Sequence, residues 1–284
     1  MAVTQDSLMA LQLLGKEFTY TDNDSMLYAM GIGMAADPMN RDELAFCYEK
    51  GQKVMPSQAT VIAFDDSLFL NCGLDAVKIV HGEQRLTLHC PLPTAATISS
   101  DARVTAAYDK GDGRGALILM ETVLTDKSSG DKLCTMESVV FARGDGGYGG
   151  PQGVPEPLPK SPMGLADHVV EFQTLPRQAL IYRLSGDRNP LHSDPEFAAA
   201  AGFEQPILHG LCTYGHACHA VVRSCCNYQP ERLLRFAARF SAPVMPGDML
   251  QTHIWVDEDE IYFTTSVPER QQIVLSNGYA TIKD

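Results

Sequence analysis

No apolar run in this sequence approaches the ~20 residues that carry a helix across a bilayer, so a membrane-spanning chain is not expected. Positive charge is also scarce: 22 Lys and Arg stand against 35 Asp and Glu, a formal net charge of −13. Phosphate backbones and anionic lipid surfaces attract a basic face, so neither nucleic acid nor a membrane is expected as a partner. Cysteine occurs at positions 47, 72, 90, 134, 212, 218, 225 and 226 but never as a CxxC pair. Met1 to Gly15 lacks the basic stretch, apolar stretch and cleavage site of a secretory leader, which argues against a secreted disulfide scaffold. The terminal Thr281-Ile282-Lys283-Asp284 is not an SKL-type peroxisomal signal. Reduced thiols in a cytoplasm are the expectation.

What is present suits globular cores: 45% hydrophobic and 20% charged residues over 284 positions, enough for two ordinary domains. The plainest boundary is Arg143 to Gly164, where twelve of 22 residues are Gly or Pro, a density that no helix or central strand tolerates. The predicted organisation is a first domain over 1–143, a linker over 144–164 and a second domain over 165–284. In the second, Gly210 to Cys226 reads as a buried helix with Ala217, Ala220 and Val221 at helical spacing. Strands are expected at Leu233–Phe240, Met249–Val256, Ile261–Val267 and Gln272–Ile282, with a turn at Pro243–Asp248. The first half repeats the plan: a helix over Ser57–Leu70, strands at Gln84–Cys90, Thr97–Tyr108, Ala116–Thr125 and Lys132–Ala142, and a turn at Pro91-Leu92-Pro93. Pro56 precedes Pro91 by 35 residues and Gly210 precedes Pro243 by 33, which supports the pairing. One long helix followed by antiparallel strands is an α+β layer, its sheet wrapped around the helix. Met26–Met34 reads as core.

The chemistry concentrates in Tyr182 to Tyr214. Ser185-Gly186-Asp187-Arg188-Asn189-Pro190-Leu191-His192 is a loop by composition. A short helix follows, with Asp194 at its N-cap, Pro195 at its first position and Gly202 at its stop. A carboxylate and an imidazole five residues apart on a Pro-fixed loop can address one small volume, as water activation requires. Asn189 between them bonds the Asp187 carboxylate or holds the loop. Taken alone, the loop is ordinary turn chemistry, with His192 a local bond donor. The following Pro206-Ile207-Leu208-His209-Gly210 alters that weighing, because it leads straight into the apolar helix. A helix N-terminus has free N–H groups and a positive dipole end, and Gly210 lets a ligand approach the backbone. Such an amide can polarise a carbonyl that becomes enolate-like. Gly210 alternatively serves only close packing.

Tyr182 to Ala198 resembles the signature of the type 2 enoyl-CoA hydratases, the MaoC-like (R)-specific family, which runs roughly Y-x-L-S-G-D-x-N-P-L-H. Segments 27–33, 80–84, 108–111 and 239–244 look like that family's two-domain members, including the hydratase unit of the peroxisomal multifunctional enzyme. The resemblance implies a double hot-dog fold in which only the C-terminal unit keeps the catalytic loop, while the degenerate first unit makes room for a long or bulky acyl chain. It implies that Asp187 and His192 bind the catalytic water and that the Gly210 N–H helps hold the thioester oxygen, turning trans-2-enoyl-CoA into (3R)-3-hydroxyacyl-CoA. CoA contacts are implied at His81, Gly82, Lys110 and Phe240. No cofactor beyond the CoA thioester substrate is implied, and a homodimer is expected. Lys110 also has a rationale of its own, as a cation in the turn Asp109–Gly113 facing a phosphate; a solvated hairpin lysine is the plain alternative. Arg232, Arg235 and Arg239 are weaker phosphate candidates.

The sequence also admits other chemistries. Cys212, His216 and His219 share one helix face, with His209 and Cys218 nearby, a soft-ligand set of the kind zinc binds. Buried Cys and hydrogen-bonded core His are the commoner outcome, and no second ligand pair stands at zinc spacing, so no metal is expected. A hot-dog thioesterase or a non-catalytic acyl-CoA-binding protein shares the fold. The Asp/Asn/His loop speaks against pure binding.

Overall fold

A computed structural model describes residues 3–65, 67–70, 72–75 and 78–284. Its strands are β1 (Gln12–Tyr20), β2 (Ile79–Leu88), β3 (Ala96–Asp109), β4 (Ala116–Asp126), β5 (Lys132–Ala142), β6 (His168–Gln173), β7 (Leu233–Phe240), β8 (Met249–Asp257), β9 (Glu260–Val267) and β10 (Gln272–Ile282). All join one ten-stranded sheet in the order β1-β3-β4-β5-β2-β7-β10-β9-β8-β6, every neighbouring pair antiparallel. Each half places its first strand at the outer edge and its second at the centre, where β2 pairs with β7. The halves are therefore two copies of one strand plan joined edge to edge, the double hot-dog arrangement.

The helices are α1 (Gln5–Met9), α2 (Asp22–Gly31), α3 (Arg41–Leu44), α4 (Ala59–Ile62), α5 (Ser67–Leu70), α6 (Gln178–Tyr182), α7 (Pro195–Ala200) and α8 (Gly210–Cys225). Every residue of α8 from Leu211 to Val222 is buried, the polar Thr213, His216 and His219 included, as expected for a helix wrapped by a sheet. Tyr214, Ala217 and Val221 share one core with Phe236, Ile254 and Phe263 of the second-half strands. The Phe236 and Phe263 rings stack there at 4.8 Å.

The first half departs from the expected plan. In place of one helix over Ser57–Leu70 the chain makes a 3-10 turn over Pro56–Gln58, then α4, then α5. Thr60, Val61 and Ile62 are β-branched and resist helix continuation, and Ala63 leaves the helical region at φ −123°, ψ 39°. Asp65 then spends its carboxylate on the Ser67 N–H at 2.9 Å, capping a new turn; Asp66, within the expected helix, lies outside the described residues. Without a long helix, this half fills its interior with two smaller clusters, one around Leu86, Ile98 and Leu124, the other around Leu8, Val104 and Ile118. Within Met26–Met34, Tyr28, Ala29, Ile32 and Met34 are core, whereas Met30 turns outward.

Residues 144–164 form neither helix nor strand and are pinned to the sheet. Asp109 accepts the Gly147 and Gly149 N–H groups at 2.7 and 2.8 Å, and the Asn277 side-chain amide donates to the carbonyls of Leu158 and Pro159.

Candidate active site

The loop with the ionisable pair is a series of turns, each fixed by its sequence. A 3-10 turn over Arg183–Ser185 ends at Gly186, whose φ of 146° side-chain-bearing residues rarely adopt. A Cβ at Gly186 would also stand 3.0 Å from the Val61 carbonyl oxygen. Asp187 Oδ1 accepts the Asn189 N–H at 3.0 Å, and Asn189 Oδ1 accepts the Leu191 N–H at 3.0 Å, capping the turn Pro190–His192. Asn189 is itself exposed and fills both candidate roles, its N–H bonding the Asp187 carboxylate and its side chain holding the loop.

The products of these turns are Asp187 and His192, both 8% exposed. His192 Nδ1 lies 2.9 Å from the Ile207 carbonyl oxygen; a carbonyl only accepts, so Nδ1 carries the proton and Nε2 keeps its lone pair. Burial lowers the His192 pKa below 6.5, and the Asp187 charge opposes that shift. The ring is thus neutral at pH 7.

Sequence reasoning treated the third member, His209, only as a metal candidate. It is 1% exposed, its ring stacks on His192 at 3.8 Å, and its Nε2–H donates to the Asp187 carbonyl at 3.1 Å. Burial, reinforced by the neighbouring His192, pushes its pKa down to about 3, so it remains neutral. His209 also immediately precedes Gly210, the first residue of α8. One side chain therefore joins the Asp187 backbone, the His192 ring and the start of the helix. The signal was there in the sequence: a histidine directly before the glycine that opens a buried helix.

Ligand atoms of Asp187, His192 and His209 lie within 4.8 Å of one another, a set that invites a metal. Yet the two rings are stacked with their planes only 28° apart. An imidazole ligates in its own plane, so two stacked, nearly parallel rings are poorly set to share one ion. The arrangement favours proton transfer.

Gly210 is covered by Phe240, whose ring would stand 3.2 Å from a Cβ placed there. His81 packs on the same ring at 4.8 Å. Burial pushes the His81 pKa down to about 4, so it contributes a neutral ring and no cation. Gly82 sits at the bulge between His81 and Glu83 in the β2–β5 ladder, its Cβ position 3.1 Å from the Val139 carbonyl. His81, Gly82, Phe240 and Gly210 are thus brought together. Lys110 lies further out, its Nζ 5.9 Å from the Phe141 ring centroid, with the Arg143 guanidinium at the same distance. Phe141 pairs with Val80, next to His81, so the two cations flank that strand end. Arg232 is occupied by the carbonyls of Lys283 and Cys225 and stands apart from this cluster.

Residues 160–277 match the MaoC-like domain, and residues 18–144 match the MFE-2 hydratase 2 N-terminal domain. The chain is 37% identical to the enoyl-CoA hydratase ChsH3 of Mycobacterium tuberculosis, over 98% of each protein. It is also 37% identical to the peroxisomal enoyl-CoA hydratase 2 of Arabidopsis thaliana, over 98% of this chain and 95% of that one. The chain belongs to the MaoC-like hydratase family. A solved MaoC-like dehydratase from Phytophthora capsici superposes with a TM-score of 0.86 at 30% identity, covering 99% and 98% of the two chains.

In this MaoC-like hydratase the helix-borne zinc candidates have other partners. His216 Nδ1 bonds the Cys212 carbonyl at 2.9 Å, and the Cys212 thiol points to the Gly31 carbonyl at 3.5 Å. His219 Nε2 stands 3.3 Å from Glu43 Oε1, with Phe172 stacked on its ring at 4.3 Å. Each side chain thus has a core partner, while His216 Nε2 and His219 Nδ1 have none. Among the described residues no helix is long and apolar enough to cross a membrane.

Proposed function

We propose that this chain is an enoyl-CoA hydratase that adds water across the 2,3 double bond of a trans-2-enoyl-CoA, reversibly and without a cofactor, to give the (3R)-3-hydroxyacyl-CoA. The observation that carries this reading is the buried Asp187–His192 pair, with His192 neutral and its Nε2 lone pair free. A water held between the two groups loses a proton to His192 Nε2 as its oxygen bonds C3, which the conjugated thioester makes electrophilic. Negative charge moves to the thioester oxygen, toward the Gly210 N–H, which the helix's own ladder does not use. C2 then receives a proton from the pair, so the whole of the water ends up in the product.

His81, Gly82 and Phe240 line the CoA side of Gly210, and Lys110 with Arg143 supplies charge for CoA phosphates. The shortened helix of the first half supports a medium, long or bulky acyl group. The same proposal includes a homodimer, which light scattering tests, and a reducing compartment such as the cytoplasm, consistent with eight free cysteines.

The deciding experiment is a chiral assay with trans-2-enoyl-CoA. The 3R product is expected from the wild type. Asp187→Asn and His192→Gln are each expected to lose at least about 10²-fold in kcat while keeping the wild-type circular dichroism. Wild-type turnover in both variants would remove the mechanism, and release of free CoA thiol would replace hydration with thioester hydrolysis.

A further inference from the structure

A cavity of about 130 Å³ adjoins the acid/base loop, walled in part by Tyr28, Gln58, Val61, Ile62 and Ser185. Ser185 precedes Asp187 by two residues, and Val61 bears the carbonyl against which Gly186 is pressed. An acyl chain leaving C3 calls for a hydrocarbon lining, yet this wall is mostly polar: Thr19, Tyr20 and Asp24 have hydrogen-bond partners, and three further polar atoms do not. Tyr28 is fully buried and Gln58 is 2% exposed, but Tyr28 Oη, Gln58 Oε1 and Ser185 Oγ have no hydrogen-bond partner. Gln58 spends its amide nitrogen on Ser25 Oγ at 3.0 Å, which leaves its oxygen as a pure acceptor. Ser57 Oγ and Tyr182 Oη lie close enough to Tyr28 Oη to act on its acidity as hydrogen-bonding groups, although no pair among the three reaches good hydrogen-bond geometry. Buried polar atoms left unpaired are rare and costly, so such a group of them beside a reactive centre marks a place built for a polar visitor.

We propose that the acyl group hydrated here carries a neutral oxygen function, best a hydroxyl, which enters this cavity, donates to Gln58 Oε1 and accepts from Tyr28 or Ser185. The proposal rests on the hydratase reading above. A plain alkyl chain would leave every one of these atoms unpaired. A carboxylate offers Gln58 Oε1 no proton and would meet the Asp24 carboxylate, which also lines the cavity. Room for about four water-sized groups fits a short extension of the chain bearing one oxygen.

The test compares kcat/KM for a ladder of trans-2-enoyl-CoA chain lengths, each with and without a terminal hydroxyl. At one length the hydroxylated substrate is expected to exceed its alkyl twin by about tenfold or more, because the unpaired wall penalises the twin. Gln58→Leu and Tyr28→Phe are expected to bring that ratio toward unity, and a ratio within one protein is insensitive to the fraction folded. If alkyl chains are hydrated as well as or better than their hydroxylated twins at every length, the cavity holds only solvent and the proposal is overturned while the hydratase reading stands. If no enoyl-CoA of either kind is hydrated, the hydratase reading fails first and this inference with it.

Discussion

His209 stays neutral near pH 7, yet it touches both members of the proposed acid/base pair. Its Nε2–H fixes the Asp187 carbonyl, and its ring face sets the plane of His192. A positioning residue of this kind acts on geometry, and displacements of about an ångström cost roughly 10²-fold in rate. His209→Phe keeps the stacking and the burial but deletes the bond to Asp187. It is expected to lower kcat by about 10- to 100-fold with a much smaller change in KM, because substrate binding uses other surfaces. Steady-state kinetics on the folded variant checks this; a rise in KM at unchanged kcat would assign His209 to substrate binding instead. The orphaned Nδ1 of the same ring marks the cost accepted for this placement.

At the scale of elements, α8 and α2 meet at Gly215, where an added methyl would run into Ile32 and stand 3.0 Å from Tyr28 Oη. Replacing a mid-helix glycine with alanine gains about 1 kcal/mol in helix propensity. Overpacking a closed core costs about 1–3 kcal/mol, and Ile32 and Tyr28 are both fully buried and unable to yield. Gly215→Ala is therefore expected to be net destabilising by about 1 kcal/mol, read as a lower urea midpoint at unchanged slope; a higher midpoint would show that the helices separate freely. The interior elements around this contact were legible from pattern alone. β5, β7 and β10 begin and end where alternation and flanking turns put them, and α8 ends one residue early. The edge strands β1 and β6 were missed because an edge strand buries little: in β1 only Tyr20 is buried, so no alternation is written. β2 starts five residues before its expected position, since the bulge at Gly82 interrupts the period that reveals a strand. In the site, Asp187, His192 and Gly210 were legible because loop and helix-start chemistry is local. The roles of His209, Tyr28 and Gln58 were not, because each arises from contacts between segments far apart in the chain.

On the scale of the whole molecule, two unlike halves share one sheet, and the buried polar groups at their seam make stability depend on pH. His209 and His216 are each 1% exposed, with pKa values pushed down to about 3 and about 4 by burial, whereas an unfolded histidine titrates near 6.5. Below 6.5 the unfolded chain therefore binds protons that the folded chain refuses, and stability falls as pH falls. Burial pushes the Glu43 pKa up, but the bonds from His219, Ala35 and Tyr228 together outweigh it and leave the pKa lowered, which adds a loss in the same direction further into acid. One term opposes these: a net charge of −13 repels itself, and acidification relieves it. That repulsion is spread over the surface and is largely screened within about 8 Å at physiological salt, whereas the buried rings are not screened. Between pH 6.5 and pH 5 each of the two histidines is expected to withdraw about 2 kcal/mol, so the proton term wins. Urea unfolding at physiological salt should show a markedly lower midpoint at pH 5 than at pH 7, and His216→Phe should recover part of the difference if the aromatic ring is accommodated. An equal or higher midpoint at pH 5 would mean that surface repulsion governs the acid response and that these rings are open to protons in the folded state.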